Sequence, residues 1–307
     1  MLAAGSPELV YIISENGLTA VALLFPIGTR AQGGLTNPPP PVDSASFAAG
    51  LPLGGALGTI FVSGLTGKPG LVVAASLSPL SFELAGVRVT VNGAPAPILA
   101  VAIPTAGSSA PGQINFQVPL ERNTTAGETY TMSVSQTGNG QVRVPGAVFD
   151  VSYLIGGFFA DANQYVIAQH ASDYSTVTVQ NPAHAGETII AYANNFFQVW
   201  PPPPIGIPVP SQPLFQLNTG VYPGLNHLVL VGPMGLQMAS RSPDLQILFA
   251  GLAPGLVGVE QLNIVIPANQ GPGDWALIFS NVPPVGSCNP LKDCKETDSR
   301  PVYLPVR

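Results

Sequence analysis

Gln113-Ile114-Asn115-Phe116-Gln117-Val118-Pro119 and Gln261-Leu262-Asn263-Ile264-Val265-Ile266-Pro267 are two copies of one pattern in a single chain. In each copy, apolar residues alternate with amides, the period of a strand with one face against a core, and the proline ends the ladder because it has no N–H to give. A glycine and an aromatic strand follow both times, TAGETYTMSV in the first case and GPGDWALIFS in the second. Upstream, Leu57-Gly58-Thr59-Ile60-Phe61-Val62 parallels Ala185-Gly186-Glu187-Thr188-Ile189-Ile190. Self-similarity at this distance reads as a duplicated unit. The amides Gln113, Asn115, Gln261 and Asn263 have two readings: bonding across strands or capping a loop, and contacting a ligand.

The same period extends outward from the repeat. Val87, Val89 and Val91 alternate with Arg88 and Thr90 ahead of an Asn92-Gly93 turn, and LQILF (245–249), LNIVI (262–266) and YSTVTV (174–179) read similarly. Alternation of this kind predicts one packed and one wet face. Short strands broken by Gly, Pro and Asn turns predict an all-β chain of two tandem immunoglobulin-like β-sandwiches with little helix, the first over 42–158 and the second over 159–307.

Composition agrees with that reading. The 307 residues include 34 glycines and 34 prolines, and only 8% are charged, which argues against long helices. Mean hydropathy is +0.35, unlike a disordered chain. With net charge −6 and ten scattered basic residues, nothing offers a groove for phosphates, so nucleic acid is not an expected partner.

Residues 1–41 carry two open readings. LTAVALLFPIG (18–28) has the length of a leader's apolar segment, yet Glu8 and Glu15 precede it where a leader carries basic residues. Alternatively, LVYII and LTAVALLF are two strands joined by Ser14-Glu15-Asn16-Gly17. The run is too short to span a bilayer, and no later run reaches eighteen apolar residues, so the chain is not expected to be membrane-embedded. GGLTNPPPPVDS then reads as a linker.

Motifs that carry chemistry are mostly absent from the sequence. Neither a phosphate loop, a dinucleotide fingerprint, a G-x-S-x-G elbow nor an H-E-x-x-H helix is present. His170, His184 and His227 show no ligand spacing, so no metal and no cofactor are expected. Asp150, Asp161, Asn163 and Asp173 fall close together at the expected junction, where calcium is a candidate, but without an EF-hand pattern. Aspartates at strand ends commonly bond their own turns, and the chain is read as a non-enzyme. Cys288 and Cys294 suit one small loop disulfide better than a metal site, which leans towards an oxidising compartment. Asn123-Thr124-Thr125 matches a glycosylation acceptor.

Pro201 to Pro204, with Pro208, Pro210 and Pro213, make a stiff excursion preceded by Phe196, Phe197 and Trp200. Those aromatics, with Trp275, form a candidate platform for a sugar ring or a neighbouring subunit. The competing reading packs the arm back onto its own domain.

VDSASFAAGLPLGGALGTIFVSGLTG, GVRVTVNGAPAPILAV and PGQINFQVP, then FAGLAPGLVGVEQLNIVIP, together resemble the tandem C-terminal module of many secreted or surface proteins of Solibacter and other Acidobacteria. The resemblance covers about residues 42–307 and implies an IPT/TIG-like immunoglobulin fold, extracellular and without catalytic residues to carry over. Three departures stand out: a contracted approach to GLAPG, a final hairpin lengthened by the cysteine segment, and the proline arm. The resulting expectation is a cell-surface structural, adhesive or assembly protein. Its partners are copies of itself or another surface protein, through strand addition by the N-terminal segment. The alternative is a carbohydrate-binding module, with polysaccharide as partner.

Overall fold

The computed structural model describes residues 9–13, 19–23, 35, 38–74, 79–106, 108–120, 130–144, 156–196, 201–216, 227–232, 240–241, 244–281 and 297–307. Within these residues the fold is all-β, without a helix, and no helix is long and apolar enough to cross a membrane.

In chain order the strands are β1 (Leu9–Ile13), β2 (Thr19–Leu23), β3 (Val42–Asp43), β4 (Leu57–Val62), β5 (Gly70–Val73), β6 (Val87–Val91), β7 (Ala94–Ala96), β8 (Ile98–Ile103), β9 (Gly112–Gln117), β10 (Met132–Gln136) and β11 (Gly140–Val144). They continue with β12 (Gly157–Phe158), β13 (Ala168–His170), β14 (Thr188–Asn194), β15 (His227–Gly232), β16 (Ser240–Arg241), β17 (Gln246–Leu252), β18 (Glu260–Val265), β19 (Gly273–Asn281), β20 (Thr297–Asp298) and β21 (Val302–Val306). Every ladder between them is antiparallel; β1 and β2 pair only with each other, from Leu9 opposite Leu23 to Ile13 opposite Thr19.

In the first half, sheets β11-β10-β6-β7 and β3-β4-β9-β8-β5 enclose one core, with Val89, Val91, Met132 and Val134 meeting Ile60, Val101, Ile114 and Phe116. In the second, β12-β14-β18-β17, with β13 on β14, shares a core with β16-β15-β19-β20, with β21 on β19. There Ile189, Ala191, Leu262 and Ile264 meet Leu228, Leu230, Leu277 and Leu304. Tyr165 and Ala183 also form parallel bridges to β21, at Tyr303 and Val306, so the last strand is seated by backbone pairing.

The internal repeat is structural as well as sequential. β9 lies between β4 and β8, and β18 lies between β14 and β17. Both outer ladders carry an irregularity at the same place, between Ile98 and Ala100 opposite Phe116 and Asn115, and between Ile247 and Phe249 opposite Ile264 and Asn263. Register also corrects the upstream alignment by three residues: Thr59 faces Asn115 as Ile190 faces Asn263, so Leu57 corresponds to Thr188, not Ala185.

Two expectations about faces change. Alternation holds on β6 and on β18, but all of β9 is buried, Gln113, Asn115 and Gln117 included. Tyr174 to Val179 is not a strand: Asp173 Oδ1 holds Ser175 N, and Thr178 Oγ1 holds Asn181 N, so local turns outcompete a ladder.

Candidate functional site

The duplicated amides bond to each other in both copies. Gln113 Nε2 donates to Asn115 Oδ1 at 2.8 Å, and Gln261 Nε2 donates to Asn263 Oδ1 at 2.8 Å. In the first copy Asn115 also accepts from Thr59 Oγ1, which is bonded to Ser44, and the group is buried; Gln261 and Asn263 remain half-buried. Pro119 and Pro267 each stand two residues past the end of their strand.

The polar face of β9 is covered because the second half of the chain docks there. Ala45, Leu57, Leu80 and Leu99 of the first half cluster with Phe159, Ile190, Tyr192, Ala253, Leu256, Val257 and Val259 of the second. Across this seam the Asn194 amide pairs with Leu57 as a peptide group would: Nδ2 donates to Leu57 O at 2.8 Å and Oδ1 accepts from Leu57 N at 2.9 Å. The same Nδ2 donates to Asp43 Oδ2 at 2.6 Å. Flipping the amide would set donor against donor at Leu57 and acceptor against carboxylate at Asp43, so its orientation is fixed. Asn195 Oδ1 accepts from Leu53 N at 2.7 Å, and Arg300 reaches Ser46 O at 3.3 Å.

Asp43 is fully buried. Its Oδ1 accepts from Ala45 N, Ser46 N and Ser46 Oγ, capping the tight turn that follows β3. All its donors are neutral. Burial outweighs them and pushes the carboxyl from 3.8 up to about 7.

The proline arm straps the seam. Gln117 Nε2 donates to Gly55 O and Pro204 O while its Oε1 accepts from Gly206 N at 2.6 Å, and Leu80 N donates to Gly206 O. The arm then returns to the second half, where Val209 bonds Leu256 and Gly255, and Phe215 O accepts from Leu252 N. It therefore bridges both halves, where sequence reading left it a choice between a platform and its own domain. Fit is close: a Cβ on Gly258 would lie 2.7 Å from Gly55 O, and one on Gly157 would lie 2.7 Å from Ser46 Cβ.

Two aromatics expected to face a ligand do not. Phe196 is 8% exposed, edge-on to Phe158 and stacked on Phe279 at 5.0 Å; Trp275 is 7% exposed, with Nε1 bonded to Gly271 O. Both are core, because their rings fill the space between the two sheets of the second half. Phe197 and Trp200 lie outside the described residues, as do Asp150 and Asn123. The expected Cys288–Cys294 disulfide is withdrawn: both cysteines lie outside the described residues, no disulfide is present among the described ones, and β21 is seated by the pairings given above. Among the described residues no group of acids or histidines could hold a metal; Asp161 and Asp173 each accept from their own turns. His170 Nδ1 lies 3.0 Å from both Glu187 oxygens, a pair that sequence spacing did not bring together.

Asp43, Asn194, Asn195 and Gln117 were missed by sequence reasoning. The one available signal was Asn194-Asn195 interrupting the apolar run TIIAYANNFF. No family model, curated protein or solved structure matches the chain.

Proposed function

We propose that the protein is a structural or adhesive building block of the cell surface, two immunoglobulin-like sandwiches locked into one body that assembles with copies of itself. The immunoglobulin-like reading draws support from the paired sheets of each half and the recurring central strand. The surface setting rests on the resemblance to the acidobacterial module.

One observation carries the assembly reading. Leu99 and Leu248 are the equivalent bulge residues of the two copies, yet Leu99 is 6% exposed in the seam and Leu248 is 56% exposed. A two-fold contact between duplicates would bury both; a contact that buries one leaves the other for a further copy, the geometry of open polymers. Leu248 lies on β17, the end strand of its sheet, with Ile247 and Phe249 half-buried beside it. The donor is the N-terminal segment, whose β1 and β2 each keep one unpaired edge among the described residues.

Electron microscopy and sedimentation of the full chain, of Leu248→Lys and of a chain lacking residues 1–33 test this. Regular assemblies are expected from the full chain and dispersed particles from both variants. Assembly that survives both changes, or a full chain that stays monomeric at high concentration, overturns the reading.

A further inference from the structure

We infer that a groove in the second half, walled by residues 161–167 and 176–180, binds a neutral saccharide, with the exposed ring of Tyr174 as its stacking platform. The groove belongs to the second half alone, so it holds whether or not the chain assembles.

The groove measures about 280 Å³, close to the lower bound of roughly 300 Å³ for small-molecule sites and suited to one or two sugar rings. One wall is built by Asp161, whose Oδ1 accepts from Asn163 N and Tyr165 N at 2.8 Å each. The other is held by Val177 N on Ala168 O and by the Thr178–Asn181 turn. Tyr192 rises from β14 into the floor, and its hydroxyl donates to Gln169 Oε1 at 2.7 Å. Gln169 Nε2 then donates to Tyr174 O at 2.8 Å, so one hydrogen-bonded chain runs from floor to rim. Burial raises the pKa of Tyr192, and Tyr174, once ionised, raises it further.

Tyr174 is the unusual residue. The residue is 62% exposed, and its backbone sits at φ 61, a conformation costly for a bulky side chain. Three neighbours hold it there: His170 O accepts Tyr174 N, Gln169 holds Tyr174 O, and Asp173 fixes the next residue. Buried His170, paired with half-buried Glu187, anchors the base of this turn. Tyr174 stands outside the lining and is tied to it through Gln169; a strained, fixed backbone that keeps an aromatic side chain exposed there is an arrangement the core does not require.

The lining selects the ligand class. Asn163, Gln180 and Thr176 supply amides and a hydroxyl that both donate and accept, as sugar hydroxyls demand, while Gln169 is already bonded to Tyr192 and Tyr174 and shapes the floor. No Lys or Arg lines the groove, which disfavours acidic sugars, and its one carboxylate, Asp161, is already engaged at Oδ1. An apolar ligand would leave these polar groups unpaired.

The test is calorimetry of the full chain against cellohexaose, xylohexaose, mannohexaose and maltohexaose, with a hexuronate oligomer as the charged comparison. At least one neutral oligomer is expected to bind. Tyr174→Gly removes the ring at a position whose φ suits glycine, so its thermal midpoint should hold while affinity falls about tenfold or more, the loss of one ring contact near 1.4 kcal/mol. Tyr174→Phe should stay within about threefold. No binding of any neutral oligomer at millimolar concentration, binding of the hexuronate alone, or an unchanged affinity in a folded Tyr174→Gly each overturns the inference.

Discussion

Replacing Asn194 by alanine removes the side chain that ties both Leu57 and Asp43 across the seam. Three hydrogen bonds go at once: to Asp43 Oδ2, to Leu57 O and from Leu57 N. Leu57 O retains Ser44 N at 3.2 Å, so the groups left without a partner are the Leu57 N–H and one oxygen of a fully buried carboxylate. An orphaned buried donor costs about 1–3 kcal/mol, and a bond to a charged group contributes about 1.5–3 kcal/mol. A water entering the vacated amide space would recover part of that. The expected loss is about 4 kcal/mol, at the high end for one substitution. Asn195→Ala, which gives up a single bond to Leu53 N, should cost about 1 kcal/mol. Asn194→Asp separates charge from shape: it keeps an acceptor for Leu57 N but sets a second carboxylate against Asp43. Asp43 alone already keeps its proton up to about pH 7 in the folded parent, and a second buried carboxyl beside it disfavours ionisation of both, so the folded variant holds more protons than the parent that the unfolded chain releases. Its destabilisation should therefore deepen from pH 4.5 to pH 8, whereas that of Asn194→Ala should change less. Urea unfolding followed by tryptophan fluorescence and circular dichroism reads both effects. A loss below about 1 kcal/mol for Asn194→Ala, with the two probes still coincident, would refute the claim that this amide locks the halves together.

Three further outcomes follow from the same contacts. Asp43 has a folded pKa of about 7 against 3.8 for the ordinary group, so its contribution is fully present below 3.8, declines as pH rises through 7, and is constant above that. Asp43→Asn should flatten the corresponding slope of unfolding free energy between pH 4 and 8, a span of about 4 kcal/mol at about 1.4 kcal/mol per pKa unit. Gly55→Ala should destabilise by about 2 kcal/mol or more, because Gly55 sits at φ 91 and a methyl there overlaps the Pro203 ring. Limited proteolysis should then cut within 201–216, and an uncut arm would count against the strap. Trp275→Ala should cost about 3–5 kcal/mol as a core truncation, measured by thermal unfolding, with no separate effect on saccharide binding.

Much of the fold was legible because its determinants are local. The period of VRVTV gives the observed burial, and Asn92-Gly93, at φ 49 and 84, makes the tight hairpin its sequence calls for. The repeat located both central strands without any knowledge of their neighbours. What escaped was set by distant chain. β9 and β18 carry the same alternation, and nothing within Gln113 to Pro119 says that its polar face is covered by residues nearly ninety positions onward, at Pro204 and Gly206. The aromatic cluster failed for the same reason: Phe196 meets Phe279, and a row of aromatics looks alike whether it faces a sheet or a ligand. YSTVTV failed through competition, since Asp173 and Thr178 offer the backbone nearer partners than a neighbouring strand.

The duplication itself explains why a polar seam was favoured over an apolar one. Both copies carry the Gln-x-Asn pair on the outward face of the central strand, and in the second copy that face is still half wet. A wholly apolar outward face would be an aggregation surface in any copy left uncovered. Instead, the first copy is covered through directional bonds, from Asn194 to Leu57 and from Gln117 to the arm, which form in one register and fail in others. Specificity then comes from a few buried amides, while Leu57, Leu99, Ile190 and Tyr192 supply the apolar contact. At Leu248, the exposed counterpart of Leu99 on the second copy, that apolar contact is offered without the Asn194 and Gln117 amides, so a further chain that docks there must bring its own backbone donors and acceptors, as an added strand does.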